Sequence, residues 1–249
     1  MKFFIKMYNK LFDVKRKPNP YQGVVDLKAL RAVSQLLHKT KVLNIDQFYK
    51  EFNLEGFVDN KEQLKLKNLF DKYGSDKSST HNYHLIYQPI INALDQENIN
   101  LIEIGLGTNN IRMQSNMGSK GKPLASAFAF RDFKDNINYF GGDIDRGILE
   151  NHERISTSYV DQMDNSTLDT FFEQHFNIAI DDGMHILRAN LNFFVAALNK
   201  AKNNSYIIVE DINPKDSDFW CTISENLNIE NISACVQTKS AIVFCLKKI

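Results

Sequence analysis

The stretch ISACVQTKSAIVFCLKK, residues 232–248, decides the fold. It holds two apolar runs, 232–238 and 240–248, rich in the Ile, Val and Phe that favour strands. Only Lys239 stands between the runs. So short a connection permits an antiparallel hairpin, because parallel neighbours need a crossover of a dozen residues or more.

Five further strand candidates lie upstream: INLIEIG (99–105), NYFGGDI (138–144), RISTSYV (154–160), FNIAIDD (176–182) and SYIIVED (205–211). Between them PLASAFAFRDFK (123–134), STLDTFFEQH (166–175), HILRANLNFFVAALNKA (185–201) and SDFWCTISENL (217–227) have helical spacing. Strand and helix in alternation imply a mostly parallel sheet with helices on both faces. The expected fold is therefore α/β, a Rossmann-like doubly wound sheet of seven strands closed by a C-terminal antiparallel hairpin.

The first 72 residues read differently. After a break at PNPYQG (18–23), residues 24–39 place Leu27, Leu30, Val33, Leu36 and Leu37 at helical spacing, and IDQFYKEF (45–52) and KEQLKLKNLFDKY (61–73) do so more weakly. With no strand of βαβ type, residues 1–72 are expected to be a helical appendage and residues 73–249 the main domain.

Thirty basic and thirty acidic residues leave no formal net charge across 249 residues, so no global field favours nucleic acid. Residues 1–20 are an exception, with six bases (Lys2, Lys6, Lys10, Lys15, Arg16, Lys17) against Asp13. This arm suits either a tail packed on its own domain or a sister subunit, or an amphipathic helix at a membrane surface. Cys221, Cys235 and Cys245 have no metal-binding or disulfide spacing, and no apolar run reaches the length of a membrane span. A cytoplasmic protein is expected.

In open sheets of this kind the ligand sits beyond the carboxyl ends of the strands. Gly105 and Gly107 follow the first strand and fit either a tight turn or a close approach of backbone to ligand. Asp143 ends the second, where an acid can accept both hydroxyls of a ribose. The polar stretch NNIRMQSNMGSKGKP (109–123) between them reads as a loop over the cofactor. Asp161 and Gln162 follow the third strand, suited to an adenine amino group or to a solvated loop.

The fourth and fifth strands end in Asp181, Asp182 and His185 and in Glu210 and Asp211. Gathered carboxylates are destabilising unless compensated, and hard oxygen ligands suit Mg2+ or another hard divalent cation. Side chains alternate along a strand, so adjacent acids cannot all face one way. Asp182, Glu210 and Asp211 are the expected ligands, with Asp181 turned toward the cofactor side or a backbone cap. His185, three residues beyond Asp182, is placed to take a proton from a hydroxyl activated by the metal.

Together these segments resemble the metal-dependent class I S-adenosylmethionine-dependent methyltransferases that act on sugar hydroxyls, the macrolide-sugar O-methyltransferases and the cephalosporin-hydroxylase and rhamnosyl O-methyltransferase group. The likeness covers about residues 70–212 and rests on KYGSDKSSTHNYHLIY (72–87), IEIGLG (102–107), GGDID (141–145), VDQMD (160–164), IDDGMH (180–185) and VEDI (209–212). It implies S-adenosylmethionine as cofactor, Mg2+ on Asp182, Glu210 and Asp211, and His185 as base. YGSDK is similar to the family's Y-G-T-D-K segment near the cofactor, which adds Tyr73, Asp76, Lys77, His81 and Tyr83 as site candidates, and Glu103 of IEIGLG joins the cofactor set. The insertion at 109–122 and the helical first 72 residues depart from the family pattern. The expected acceptor is a vicinal diol on a sugar or glycan precursor, or, with the same site, a non-sugar small molecule or a phosphate-derived group of a surface polysaccharide; the alternative from another class is a non-catalytic binding subunit that keeps the fold. A homo-oligomer is expected.

Overall fold

The computed structural model describes Arg31, Ser34 and residues 42–94, 97–227 and 231–249. The expectations for the basic arm and for most of the helix over 24–39 lie outside these residues. Seven strands form one sheet: β1 (Ile99–Ile104), β2 (Ile137–Asp143), β3 (Ile155–Tyr159), β4 (Ile178–Asp181), β5 (Tyr206–Ile212), β6 (Asn231–Gln237) and β7 (Ile242–Lys248), in the order β3-β2-β1-β4-β5-β7-β6. Strands β1 to β5 are parallel, and β7 is antiparallel to both β5 and β6. The expected hairpin is present, with a connection of four residues, Thr238 to Ala241, closed by Thr238 N–H donating to the Ala241 carbonyl at 2.9 Å.

The described helices are α1 (Ile45–Glu51), α2 (Asn60–Tyr73), α3 (Asp76–Ser79), α4 (His84–Ala93), α5 (Ala125–Phe133), α6 (Asn165–Phe171), α7 (Leu187–Lys200) and α8 (Ser217–Asn226). None is long and apolar enough to cross a membrane. Strand period divides the core in two. Leu101, Ile180 and Ile208 face one way, into a cluster with Phe48, Phe70, Tyr87 and Phe130, while Ile102, Ala179 and Ile207 face Phe172, Phe193, Phe194 and Trp220 on the other side.

Residues 42–72 share this core. α1 begins with a reciprocal cap in which Asn44 Oδ1 accepts from Gln47 N–H at 2.9 Å and Gln47 Oε1 from Asn44 N–H at 3.0 Å. Pro89 inside α4 has no N–H to offer the Leu85 carbonyl, and the Tyr49 hydroxyl of α1 donates to that carbonyl at 2.9 Å instead. Phe70 of α2 meets Phe130 of α5 edge-on, their centroids 5.2 Å apart. Leu43 bridges to the outer edge of β6 through two 2.8 Å backbone hydrogen bonds, covering an edge that would otherwise expose unpaired groups. The boundary expected after residue 72 falls at the end of α2, inside this packing.

Because Phe70 is fully buried between α2 and α5, Phe70→Ala should cost about 3–5 kcal/mol. Urea unfolding should keep one transition with a lowered midpoint. An early separate transition that leaves the main midpoint unmoved would mean that the helices before residue 73 do not share the core.

Candidate active site

Three acids project from one face of the sheet by parity alone. Glu103 lies two residues beyond Leu101 on β1, Asp182 two beyond Ile180 at the end of β4, and Glu210 two beyond Ile208 on β5, each continuing the face that carries the first core cluster. Into their midst comes Lys77 of α3, only 2% exposed. Its Nζ donates to Asp182 Oδ2 at 2.7 Å and to Glu210 Oε2, and it lies 3.0 Å from Glu103 Oε1 as an ion pair without an aligned hydrogen bond. Behind them Tyr87 donates to Glu210 Oε1, and Ser126 and Tyr139 donate to Glu103 Oε2 at 2.7 and 2.5 Å.

The electrostatics follow from one ammonium among three carboxylates. Burial works against the charged form of Lys77, yet Asp182, Glu103 and Glu210 outweigh it and hold the ammonium well above the usual lysine range. Burial pushes Glu210 well up and Glu103 up, although Lys77 opposes both shifts. For Asp182 burial is outweighed by Lys77 and His185, and the carboxyl lies below its usual range. The sequence reading assigns compensation of these acids to a divalent cation; in the structure the chain supplies part of it itself, through Lys77.

A second group lies on the outer side. Asp182, His185 and Asp211 each offer a ligand atom, all within 4.8 Å of one another. Asp211 reaches this group although Glu210 beside it faces the core, because β5 carries an irregularity between Val209 and Ile212 and Asp211 adopts the left-handed conformation, φ 48°. Tyr83 Oη donates to Asp211 Oδ1 at 2.7 Å, and His81, stacked on the Tyr83 ring, brings Nδ1 within 3.5 Å of the same oxygen. His185, also left-handed at φ 53°, has Nε2 3.7 Å from Asp182 Oδ1. Its Nδ1 is buried without a hydrogen-bond partner.

The expected ligand trio is thus differently distributed. Asp182 and Asp211 converge with His185, whereas both oxygens of Glu210 are engaged by Lys77 and Tyr87. Two ligands on opposite sides of a Mg2+, Mn2+ or Ca2+ ion lie about 4–5 Å apart, so the outer triangle has the dimensions for one such ion. The carboxylates of Asp182 and Asp211 are the hard oxygen donors such an ion accepts, and His185, with a buried partnerless Nδ1, stands beside them.

A cleft of about 300 Å³ opens beside this triangle, lined among others by Asp76, Gly105, Gly107, Asp143, Asp161, Gln162, Asp182, His185 and Asp211. A Cβ on Gly105, φ 94°, would fall 2.0 Å from the Asp182 carbonyl oxygen, so only glycine lets the β1 loop close on the end of β4. Asp143 accepts from Leu106 N–H and Asp145 N–H at 2.8 Å each and so pins that loop. Gln162 spans the cleft floor, donating to Asp181 Oδ1 at 2.6 Å and accepting from Met184 N–H at 2.9 Å.

Tyr73, Lys77, Glu103, Asp181 and Glu210 are absent from this lining. Tyr73 donates to Asp132, away from the cleft. Asp181 faces the second core cluster, where Asn190 Nδ2 donates to it at 2.8 Å, and it serves as a fully buried brace. Residues the sequence reading passes over include Thr108, Asn116, Met117, Ile144 and Met184 on the cleft wall, and Tyr87 behind it. Tyr87 carries a usable signal: it follows Tyr83 by four residues, so the two hydroxyls share a helical face. The insertion does sit over the cleft, through Ser115 Oγ donating to the Met184 carbonyl at 3.2 Å and Met117 N–H to the Thr108 carbonyl at 2.8 Å.

A MycE methyltransferase from the mycinamycin biosynthetic pathway, in complex with Mg and SAH, superposes with a TM-score of 0.59 over 74% of this chain and 54% of its own, at 20% identity. This is a Rossmann-like methyltransferase fold. A second crystal form gives 0.57 over 74% of this chain and 53% of that one, at 19% identity. A MycE complex with Mg, SAH and mycinamycin VI gives 0.51 over 59% and 39%, at 24% identity. The chain spans about half the length of the structures it matches. No protein-family model matches the chain, and no curated protein matches it in sequence.

Removing the ammonium should expose the charge balance. Lys77→Met leaves buried carboxylates without their cation and should cost about 3–5 kcal/mol at pH 7. A carboxyl raised by burial is most stabilising protonated, below its ordinary value near 4.5, and loses that contribution as pH rises. Without Lys77 this loss grows, so the gap to wild type should narrow as pH falls from 7 toward 5. Taking the difference cancels His84, held down at about 4 by burial, which destabilises both proteins alike over that range. A gap independent of pH, read by urea unfolding, would contradict the charge account.

Proposed function

We propose that the protein is an S-adenosylmethionine-dependent O-methyltransferase that uses a divalent cation and acts on a hydroxyl of a sugar or glycan precursor. The observation that carries this reading is the outer triangle of Asp182, His185 and Asp211 at one end of a cleft that runs to Asp143, on a sheet with the methyltransferase fold. MycE, which shares the fold, is described in complex with Mg and SAH, and in one case with mycinamycin VI.

In this reading Gly105 and Gly107 let backbone approach the cofactor, Asp143 accepts from its ribose, and Ile144, Val160 and Gln162 border its adenine, all of them residues of the cleft wall. Asp182 and Asp211 would hold the cation, with His185 beside them. When bound, the sulfonium donor supplies an electrophilic methyl group and the cation supplies Lewis acidity toward the acceptor oxygen. His185, whose ring stands beside the cation position and not among its ligands, accepts the hydroxyl proton. Asp211, steadied by Tyr83 and His81, keeps the acceptor side of the site in place. Most of the rate would come from alignment of an in-line displacement.

The lining supports an acceptor without phosphate. Among the described residues it includes five aspartates, Asp76, Asp143, Asp161, Asp182 and Asp211, and neither lysine nor arginine. Such a wall attracts a sulfonium and a metal ion and repels a phosphate.

SAH at a hundred times its dissociation constant should stabilise the chain by about 2.7 kcal/mol, a rise in Tm of roughly 5–10 °C at this size. Methyl transfer should be found among neutral or amino-bearing glycosides before sugar phosphates, and EDTA should abolish it reversibly. His185→Ala should lower turnover by about 10²–10⁴-fold while SAH still raises Tm. Full turnover in chelator, or in His185→Ala, would remove the metal or the base from the mechanism.

A further inference from the structure

Lys77 has no part in the chemistry above, yet its surroundings are those of a bound ion. Its Nζ meets one oxygen from each of three adjacent strands, Glu103 on β1, Asp182 at the end of β4 and Glu210 on β5, and the residue is almost wholly buried. A shell of carboxylate oxygens on rigid strands is what a hard divalent cation requires. Asp182 joins this shell to the outer triangle, since Oδ2 faces Lys77 at 2.7 Å and Oδ1 faces His185 Nε2 at 3.7 Å.

We propose that Lys77 is a positioning residue that occupies the inner of two adjoining cation positions and so confines a divalent ion to the outer one, among Asp182, His185 and Asp211. The inference rests on the reading of that triangle as a cation site. The tethered ammonium supplies one charge at a fixed place, leaves Asp182 Oδ1 free to face outward, and keeps Glu210 turned inward. It also closes the deeper hole, where the buried Glu103 and Glu210, with the half-buried Asp182, would otherwise hold an ion out of reach of an acceptor.

The test is Mn2+ titration of the full chain without methyl donor, with free Mn2+ followed by electron paramagnetic resonance. Wild type should take up one ion per chain. Lys77→Ala, which removes the ammonium and leaves room, should bind Mn2+ at least tenfold more tightly, with one or two ions per chain. Affinity within tenfold of wild type, or weaker, overturns the proposal, and weaker binding is what a merely structural lysine predicts. If Lys77→Ala folds only with Mn2+ present, seen as a gain of helical circular dichroism, that supports the proposal. If it does not fold at all, Glu103→Gln decides: Lys77, freed from one carboxylate, should pair more fully with Asp182 and weaken Mn2+ binding about tenfold, and unchanged affinity overturns the proposal. Failure of the functional reading shows differently, as a wild-type chain that takes up no Mn2+ at all.

Discussion

One buried ammonium holds the candidate site together. Lys77 reaches across the ends of three parallel strands to Glu103, Asp182 and Glu210, and no other described side chain joins all three. A buried ion pair adds little net stability over an apolar replacement, but loss of one partner is expensive because the other is left charged and dry. The arrangement therefore acts as a constraint on structure more than as a source of stability. It ties the segment from Asp76 to Tyr87, which has no place in the sheet, to the edge where ligands of such folds bind.

The same segment supplies further partners of the acids on β5. Tyr83, which caps α4, and Tyr87 in its first turn reach Asp211 and Glu210, and His81 stacks on Tyr83 beside Asp211. The C-terminal hairpin fastens it from outside: Lys239 Nζ donates to the Ser79 carbonyl at 2.7 Å and Ser240 Oγ to the Thr80 carbonyl at 2.9 Å. The hairpin that marks the fold in the sequence is thus also a support of the site. Reversal of strand order between β1 and β4 opens the cleft, and Gly105 lets the two strand ends close behind it.

The fold is largely legible in the sequence because its signals are local. Apolar runs of strand length, the short link at Lys239 and helical spacing between runs locate all seven strands to within two residues at each end. What escapes is long-range or conformational. Lys77 pairs with residues 105 and 133 positions away, and nothing nearby in the chain announces it. Parity puts Glu210 on the core face, but the turn of Asp211 into the left-handed region, which brings it to Asp182 and His185, has no marker in EDI. Asp181 and Asp182 look equivalent as neighbours; alternation sends one to Asn190 and Gln162 and the other to Lys77 and His185. The helix α4 is hidden by Pro89, whose missing hydrogen bond is made good by Tyr49, forty residues earlier.

Two cation positions share Asp182, the inner one filled by an ammonium and the outer one proposed for a metal ion. This arrangement is tested most directly by a crystal structure of the wild-type chain grown with Mn2+ and SAH, with anomalous scattering recorded for manganese. The account predicts one anomalous peak bounded by Asp182, His185 and Asp211, with Lys77 still in contact with Glu103 and Glu210. A peak between Asp182 and Glu210 with Lys77 displaced, or no peak in that region, would contradict it.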